Sequence, residues 1–165
     1  MALEIDVKLQ RLVPLMELQQ RVTDTLLAWF GTTTPRVIAD GSDELLAEGA
    51  AAQLDIDGIA LVSIQSTSAG SEEALGEDGG LWATFSAGEF RSPESLFLAC
   101  LAAATAAQIT GGCVVDEAGL VGPEREVTPE EFTARLREMM GAKQDFREAS
   151  DAAFGAAFRD GSTLS

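Results

Sequence analysis

The chain has 165 residues, 46% hydrophobic and 23% charged, a balance that supports one packed core and excludes intrinsic disorder. Its 27 acidic residues against 11 basic ones, with no histidine, give a formal charge of -16. Such a field repels phosphate and anionic lipid, so neither nucleic acid nor a membrane is an expected partner, whereas a basic protein would be captured quickly.

In ALEIDVKLQ, Leu3, Ile5, Val7 and Leu9 alternate with Glu4, Asp6, Lys8 and Gln10, the period of a half-buried strand. Pro14 suits a first helical turn, and Leu15, Leu18, Val22, Leu26 and Trp29 recur at helical spacing until Gly31 stops the run. PRVIAD, residues 35–40, reads as a short strand, and Ser42 as the N-cap of a short acidic helix in DELLAEGAAAQL, residues 43–54. GIALVSIQST (58–67) and LWATFSAGEF (81–90) are rich in strand formers and pair most simply as antiparallel neighbours across the acidic connection GSEEALGEDGG.

Ser92, Pro93 and Glu94 open a helix that is apolar on nearly every face, which places it against the sheet. Gly111 and Gly112 end it as a left-handed C-cap, and CVVD follows as a short buried strand before the turn DEAG. Thr128, Pro129 and Glu131 spell a capping box, and the segment GPEREVTPEEF turns directly into that helix. After Gly141, Phe146, Ala149, Ala153, Phe154, Ala157 and Phe158 form the apolar stripe of a last helix, with a frayed tail over residues 158–165. The element order predicts an α+β fold: a single domain, residues 1–165, with a mixed, mostly antiparallel sheet covered by helices.

The absence of His and Tyr removes the commonest general base and any Ser-His or Cys-His nucleophile. Cys100 and Cys113 lack a CxxC spacing and lie in apolar settings, which blunts a thiol and fits a reducing compartment. With acids where a secretory leader carries a basic head, and no run of eighteen apolar residues, a cytoplasmic protein is expected. No phosphate-cradling glycine motif is present, and Asp55, Asp57 and Gly58 match only a fragment of a calcium loop. No cofactor and no metal are therefore expected. Asp116 and Glu117, at the end of a buried strand, are the best-placed catalytic carboxylates; the plainer reading is a turn that exposes two charges, and no catalytic residue is assigned.

Charge distribution says more than any motif. From Val37 to Phe90 there are eleven acids and no Lys or Arg. One reading is a solvated face; the other is a surface that docks a basic protein, since carboxylates steer and orient Arg and Lys side chains. On the second reading Asp43, Glu44, Glu72, Glu73, Glu77 and Asp78 meet the partner, with Trp82 and Phe85 as apolar anchors; the plainer reading for Phe85 is a core residue.

The segment SPESLFLACLAAATAAQITGGCVVDEAGL with the following TPEEFTARLREMM resembles the C-terminal half of bacterial immunity proteins, the cytoplasmic antidotes to polymorphic or type VI secreted toxins. The resemblance covers about a third of the chain. It implies a non-enzymatic monomer or homodimer that binds one cognate basic toxin, such as a nuclease, and occludes its active surface. A second resemblance, carried by ITGGCVVDEAG, is to the acidic type III secretion chaperones, dimers that follow this turn with another strand. A carboxylate-dependent enzyme is the third alternative.

Overall fold

The computed structural model describes residues 4–9, 13–31, 35–41, 51–56, 59–67, 81–87, 92–116, 119–122 and 125–156. The alternation at the start of the chain forms β1, Glu4–Leu9, with Ile5, Val7 and Leu9 buried. Helix α1, Leu15–Phe30, buries Leu15, Leu18, Val22, Leu26 and Phe30 along one stripe and ends at Gly31, where φ is +58°. Trp29 flanks that stripe, half-buried. Strands β2 (Val37–Gly41), β3 (Ala51–Ile56), β4 (Ala60–Thr67) and β5 (Leu81–Ser86) follow.

Strand β3 corrects the last four residues, 51–54, of the acidic helix expected over residues 43–54. Residues 42–50 lie outside the described region, but Ala51–Ile56 is extended, with Ala52, Leu54 and Ile56 buried and Gln53 exposed. Alanine's helix preference amounts to a few tenths of a kcal/mol per residue. Here it yields to a strand position between β2 and β4, where Leu54 faces Ala39 on one side and Val62 on the other. Strand β5 is shorter than the predicted 81–90, ending at Ser86.

After α2 (Pro93–Thr110) come β6 (Cys113–Val115), β7 (Glu126–Val127), α3 (Pro129–Met140) and α4 (Phe146–Ser150). Strand β7 is a second correction: the chain pairs with β6, Val114 opposite Val127, before it enters α3. The two residues are too few to produce a periodic signal. The strands make one seven-stranded sheet in the order β2-β3-β4-β5-β1-β6-β7, and every neighbouring pair is antiparallel.

Helix α2 is the centre of the molecule. Every residue from Ser95 to Ala107 is buried, because the helix packs on β1, β4, β5 and β6 while α1, α3 and α4 close over its other side. Its alanines let both layers approach closely, and one core runs through sheet and helices. The Ser92 hydroxyl accepts from Ser95 N–H at 3.1 Å with Pro93 in the first turn, as the sequence predicts. At the other end Gly111 takes φ +76° with open space around it. Gly112 is required for a different reason: a β-carbon there would collide with the Lys8 carbonyl of β1. The double glycine therefore serves one cap and one close approach.

In α3 the Thr128 hydroxyl accepts from Glu131 N–H at 3.2 Å, while the Glu131 carboxylate accepts from Arg135 at 2.8 Å. The Asp145 carboxylate caps α4 by accepting from Arg147 and Glu148 N–H. Beyond α4 the backbone widens into a π-helical turn, Asp151–Gly155, which shifts the phase of the predicted stripe: Phe146, Ala149 and Phe154 are buried, Ala153 only partly. Ala157, Phe158 and the predicted tail lie outside the described residues. Phe30, Phe97 and Phe146 meet at centroid distances of 5.7–6.4 Å, with Trp29 against Phe30 and Phe97, tying α1, α2 and α4 together. Among the described residues no helix is long and apolar enough to cross a membrane.

Candidate functional site

The described helices pack on the sheet, where Ile5, Val7, Leu54, Val62, Ile64, Ala83 and Phe85 are buried, and strand alternation assigns the residues of the other face. Across the strands, Glu4 faces Ser86, Ser86 faces Ser63, Ser63 faces Gln53 and Gln53 faces Asp40. A second row runs Glu126, Val115, Asp6, Thr84 and Gln65, a third contains Cys113, Lys8 and Trp82, and a fourth Leu61, Asp55 and Ile38. The face is polar in most of its rows.

Five carboxylates (Glu4, Asp6, Asp40, Asp55, Glu126) lie at strand positions of this face, where Lys8 is the one cation among the described residues; the exposed Arg36 and Arg125 immediately precede β2 and β7. The helical side is different in kind. There Glu17, Asp24, Glu94, Glu130, Glu131, Glu138, Asp145, Glu148 and Asp151 are interspersed with Arg21, Arg135, Arg137, Lys143 and Arg147, and pairs such as Glu131–Arg135 form. On the open face no two of the five carboxylates are directly opposed, each facing a neutral residue across the strands, but their summed field still opposes the compact state. Neutral donors relieve part of that cost: Thr84 Oγ1 donates to Asp6 Oδ1 at 2.6 Å, and Ser86 Oγ to Glu4 Oε2 at 3.4 Å.

The third row contains the face's most connected group. Lys8 Nζ lies 3.3 Å from both Glu126 oxygens and 5.5 Å from the centre of the Trp82 ring, while Cys113 Sγ donates to Glu126 Oε1 at 3.2 Å. The Cys113 hydrogen bond and the Lys8 ammonium hold the Glu126 carboxyl below its usual range. Burial, followed by the bond to Glu126, pushes the Cys113 thiol up to about 11. Cys113 is half-exposed, where the sequence suggests a buried position, and the upward shift of its thiol is in the direction that blunts a nucleophile. Complete burial, aided by the Asp116 charge, raises the Cys100 thiol well above the ordinary range.

Of the predicted partner-binding residues, Trp82 lies half-exposed on the open face, and Phe85 is buried in the core. Asp43, Glu44, Glu72, Glu73, Glu77 and Asp78 lie outside the described residues. The strands that carry their segments are described, and all end together. Gly41 pairs with Ala52, Ala51 with Gln65 and Thr67 with Trp82, so residues 42–50 and 68–80 connect adjacent strand pairs at one end of the sheet. Lys8 and Cys113 are at that end too. From the cation-free stretch, Asp40 and Asp55 are on the open face itself.

Asp116 departs from both sequence readings. It is neither exposed in a turn nor open to a substrate: it is 2% exposed, with Oδ1 accepting from Leu120 N–H and Oδ2 from Val121 N–H, each at 2.9 Å. The carboxylate organises the β6–β7 connection. Glu117 and Asp57 lie outside the described residues. Asp55, part of the calcium-like fragment, is a strand residue, and no group of three or more Cys, Asp or Glu among the described residues is placed to hold a metal ion.

Sequence reasoning missed Glu4, Asp6 and Glu126 as members of the face. The signal was available for β1, whose alternation puts Glu4, Asp6 and Lys8 on one side; for Glu126 none existed, because β7 was unforeseen. The chain matches no family model, no curated protein and no solved structure.

Proposed function

We propose that this is a protein-binding protein of the immunity type, which neutralises a cognate basic toxin by covering the toxin's active surface with the open face of its sheet. The supporting observation is the makeup of that face among the described residues: five carboxylates to one cation at its strand positions, with the half-exposed Trp82 available as an anchor. A nearly single-sign face steers a cationic partner and repels its own copies. The same charge on a basic nuclease's phosphate-binding surface would exclude its substrate. Residues 42–50 and 68–80, rooted at the Trp82 end, contribute the additional carboxylates Asp43, Glu44, Glu72, Glu73, Glu77 and Asp78.

The test compares charge reversals of equal size on the two sides of the molecule. Glu4, Asp40 and Asp55 changed to Lys should slow association with the cognate toxin by about tenfold or more, and flatten its salt dependence. Asp24, Glu130 and Glu138 changed to Lys should leave the rate within about twofold. Equal effects from both sets would refute the assignment of the face. Reversing Glu72, Glu73, Glu77 and Asp78 tests the connection separately, and an unchanged rate removes it from the interface.

One observation favours the second reading, a type III secretion chaperone. The turn after β6 is followed by β7, the strand that this resemblance requires. An obligate dimer in light scattering that binds an unfolded effector segment would select it over the immunity protein.

A further inference from the structure

Lys8 is the one cation at a described strand position of the open face, and the groups around its ammonium define a seat for a cation. The Trp82 ring centre is 5.5 Å away on one side, both Glu126 oxygens are at 3.3 Å on the other, and the Cys113 thiol donates to Glu126 Oε1 at 3.2 Å. An aromatic face opposed to a carboxylate is the pairing by which Arg and Lys side chains are recognised. The neighbouring row adds Asp6, two residues along β1, so the seat opens onto further negative charge.

We propose that Trp82 and Glu126 form a receptor for an arginine side chain of the basic partner, and that Lys8 occupies this seat in the free protein. The inference rests on the reading of the open face as a docking surface. The resident ammonium is a weak occupant: its side chain is 34% exposed and that of Glu126 is 56% exposed. Displacing such a pair lowers affinity by a factor of only about two to five. A guanidinium gains more there, since it stacks flat on an indole and offers two parallel N–H donors to one carboxylate. Charge complementarity singles out a cationic partner, because a second copy of this chain would set two carboxylate-rich faces against each other.

The experiment uses a hexa-arginine peptide, with binding measured by isothermal titration calorimetry. Lys8→Met empties the seat and should tighten peptide binding about three- to tenfold. Arg125→Met removes the same charge from an exposed position whose field also acts on Glu126, and should tighten binding by less than about twofold. Lys8→Arg fills the seat with a stronger resident and should bind the peptide no more tightly than the parent, and adding Trp82→Leu to Lys8→Met should cancel the gain. If Arg125→Met tightens binding as much as Lys8→Met does, or Lys8→Met tightens nothing, the seat does not exist. A peptide that responds as expected while the open-face reversals leave toxin association unchanged keeps the seat and removes the toxin. The converse result removes the seat alone.

Discussion

Replacing Asp116 by alanine separates a structural carboxylate from a catalytic one. The side chain is 2% exposed and holds Leu120 and Val121 N–H at 2.9 Å each. Its own N–H donates to the Arg125 carbonyl at 2.6 Å, and its carbonyl accepts from Gly119 at 3.2 Å. A hydrogen bond to a charged acceptor contributes about 1.5–3 kcal/mol, so the two lost bonds set a ceiling of about 6 kcal/mol. Leu120 and Val121 are themselves only half-buried, and water reaching the freed N–H groups reduces the expected cost to about 2–4 kcal/mol. Asp116→Asn keeps one acceptor in place and should cost about half as much, roughly 1–2 kcal/mol. For a chain of this size, that corresponds to a fall in Tm of roughly 5–15 °C for the alanine variant. Urea unfolding followed by far-UV circular dichroism, with an unchanged m-value, measures it. Stability within about 0.5 kcal/mol of the parent would refute the assignment of Asp116 as the organiser of the β6–β7 connection.

Gly112→Ala drives a β-carbon into the Lys8 carbonyl and should cost at least about 3 kcal/mol; Gly111→Ala meets only its positive φ and open space and should cost about 1–2 kcal/mol, with equal losses in urea melts refuting the distinction. Ser92→Ala removes the α2 cap and should cost about 1 kcal/mol, read from the same melts. The Glu94 carboxyl is pushed up chiefly by burial, with Asp151 adding to the shift and Arg147 opposing it; a raised carboxyl stabilises the fold below its unfolded value and loses that contribution as pH rises through the folded one. Glu94→Gln should therefore gain stability at pH 7, by less than about 1 kcal/mol because the carboxyl keeps much of its water, and the gain should fade on acidification below its ordinary value of 4.5; a gain unaffected by pH contradicts the linkage. The Cys113 thiol, raised to about 11, should alkylate roughly 100-fold more slowly at pH 7.5 than a free thiol, and Cys100 only on unfolding, whereas fast labelling of the folded protein at neutral pH would contradict both assignments.

Features that depend on a few consecutive residues were legible in the chain. The alternation of β1, the stripe of α1, the Ser92 and Thr128 caps and the all-round apolarity of α2 each predicted the element observed, because local backbone preference and burial agree there. Where they conflict, burial prevails: Ala51–Ile56 carries alanines that favour helix, yet the ladder between β2 and β4 makes it a strand. Strand β7 depends on its partner even more, since two residues acquire strand geometry only by pairing with β6.

The same division runs through the candidate site. Composition alone established that the chain is strongly acidic, poor in reactive side chains and free of cations from Val37 to Phe90. Which carboxylates share a surface was decided by strand order and register, which bring Glu4, Asp40 and Asp55 together from three separate strands and place Glu126 beside Lys8. A linear charge pattern specifies how much charge a segment carries, whereas its field depends on distances, and those exist only once the sheet has paired.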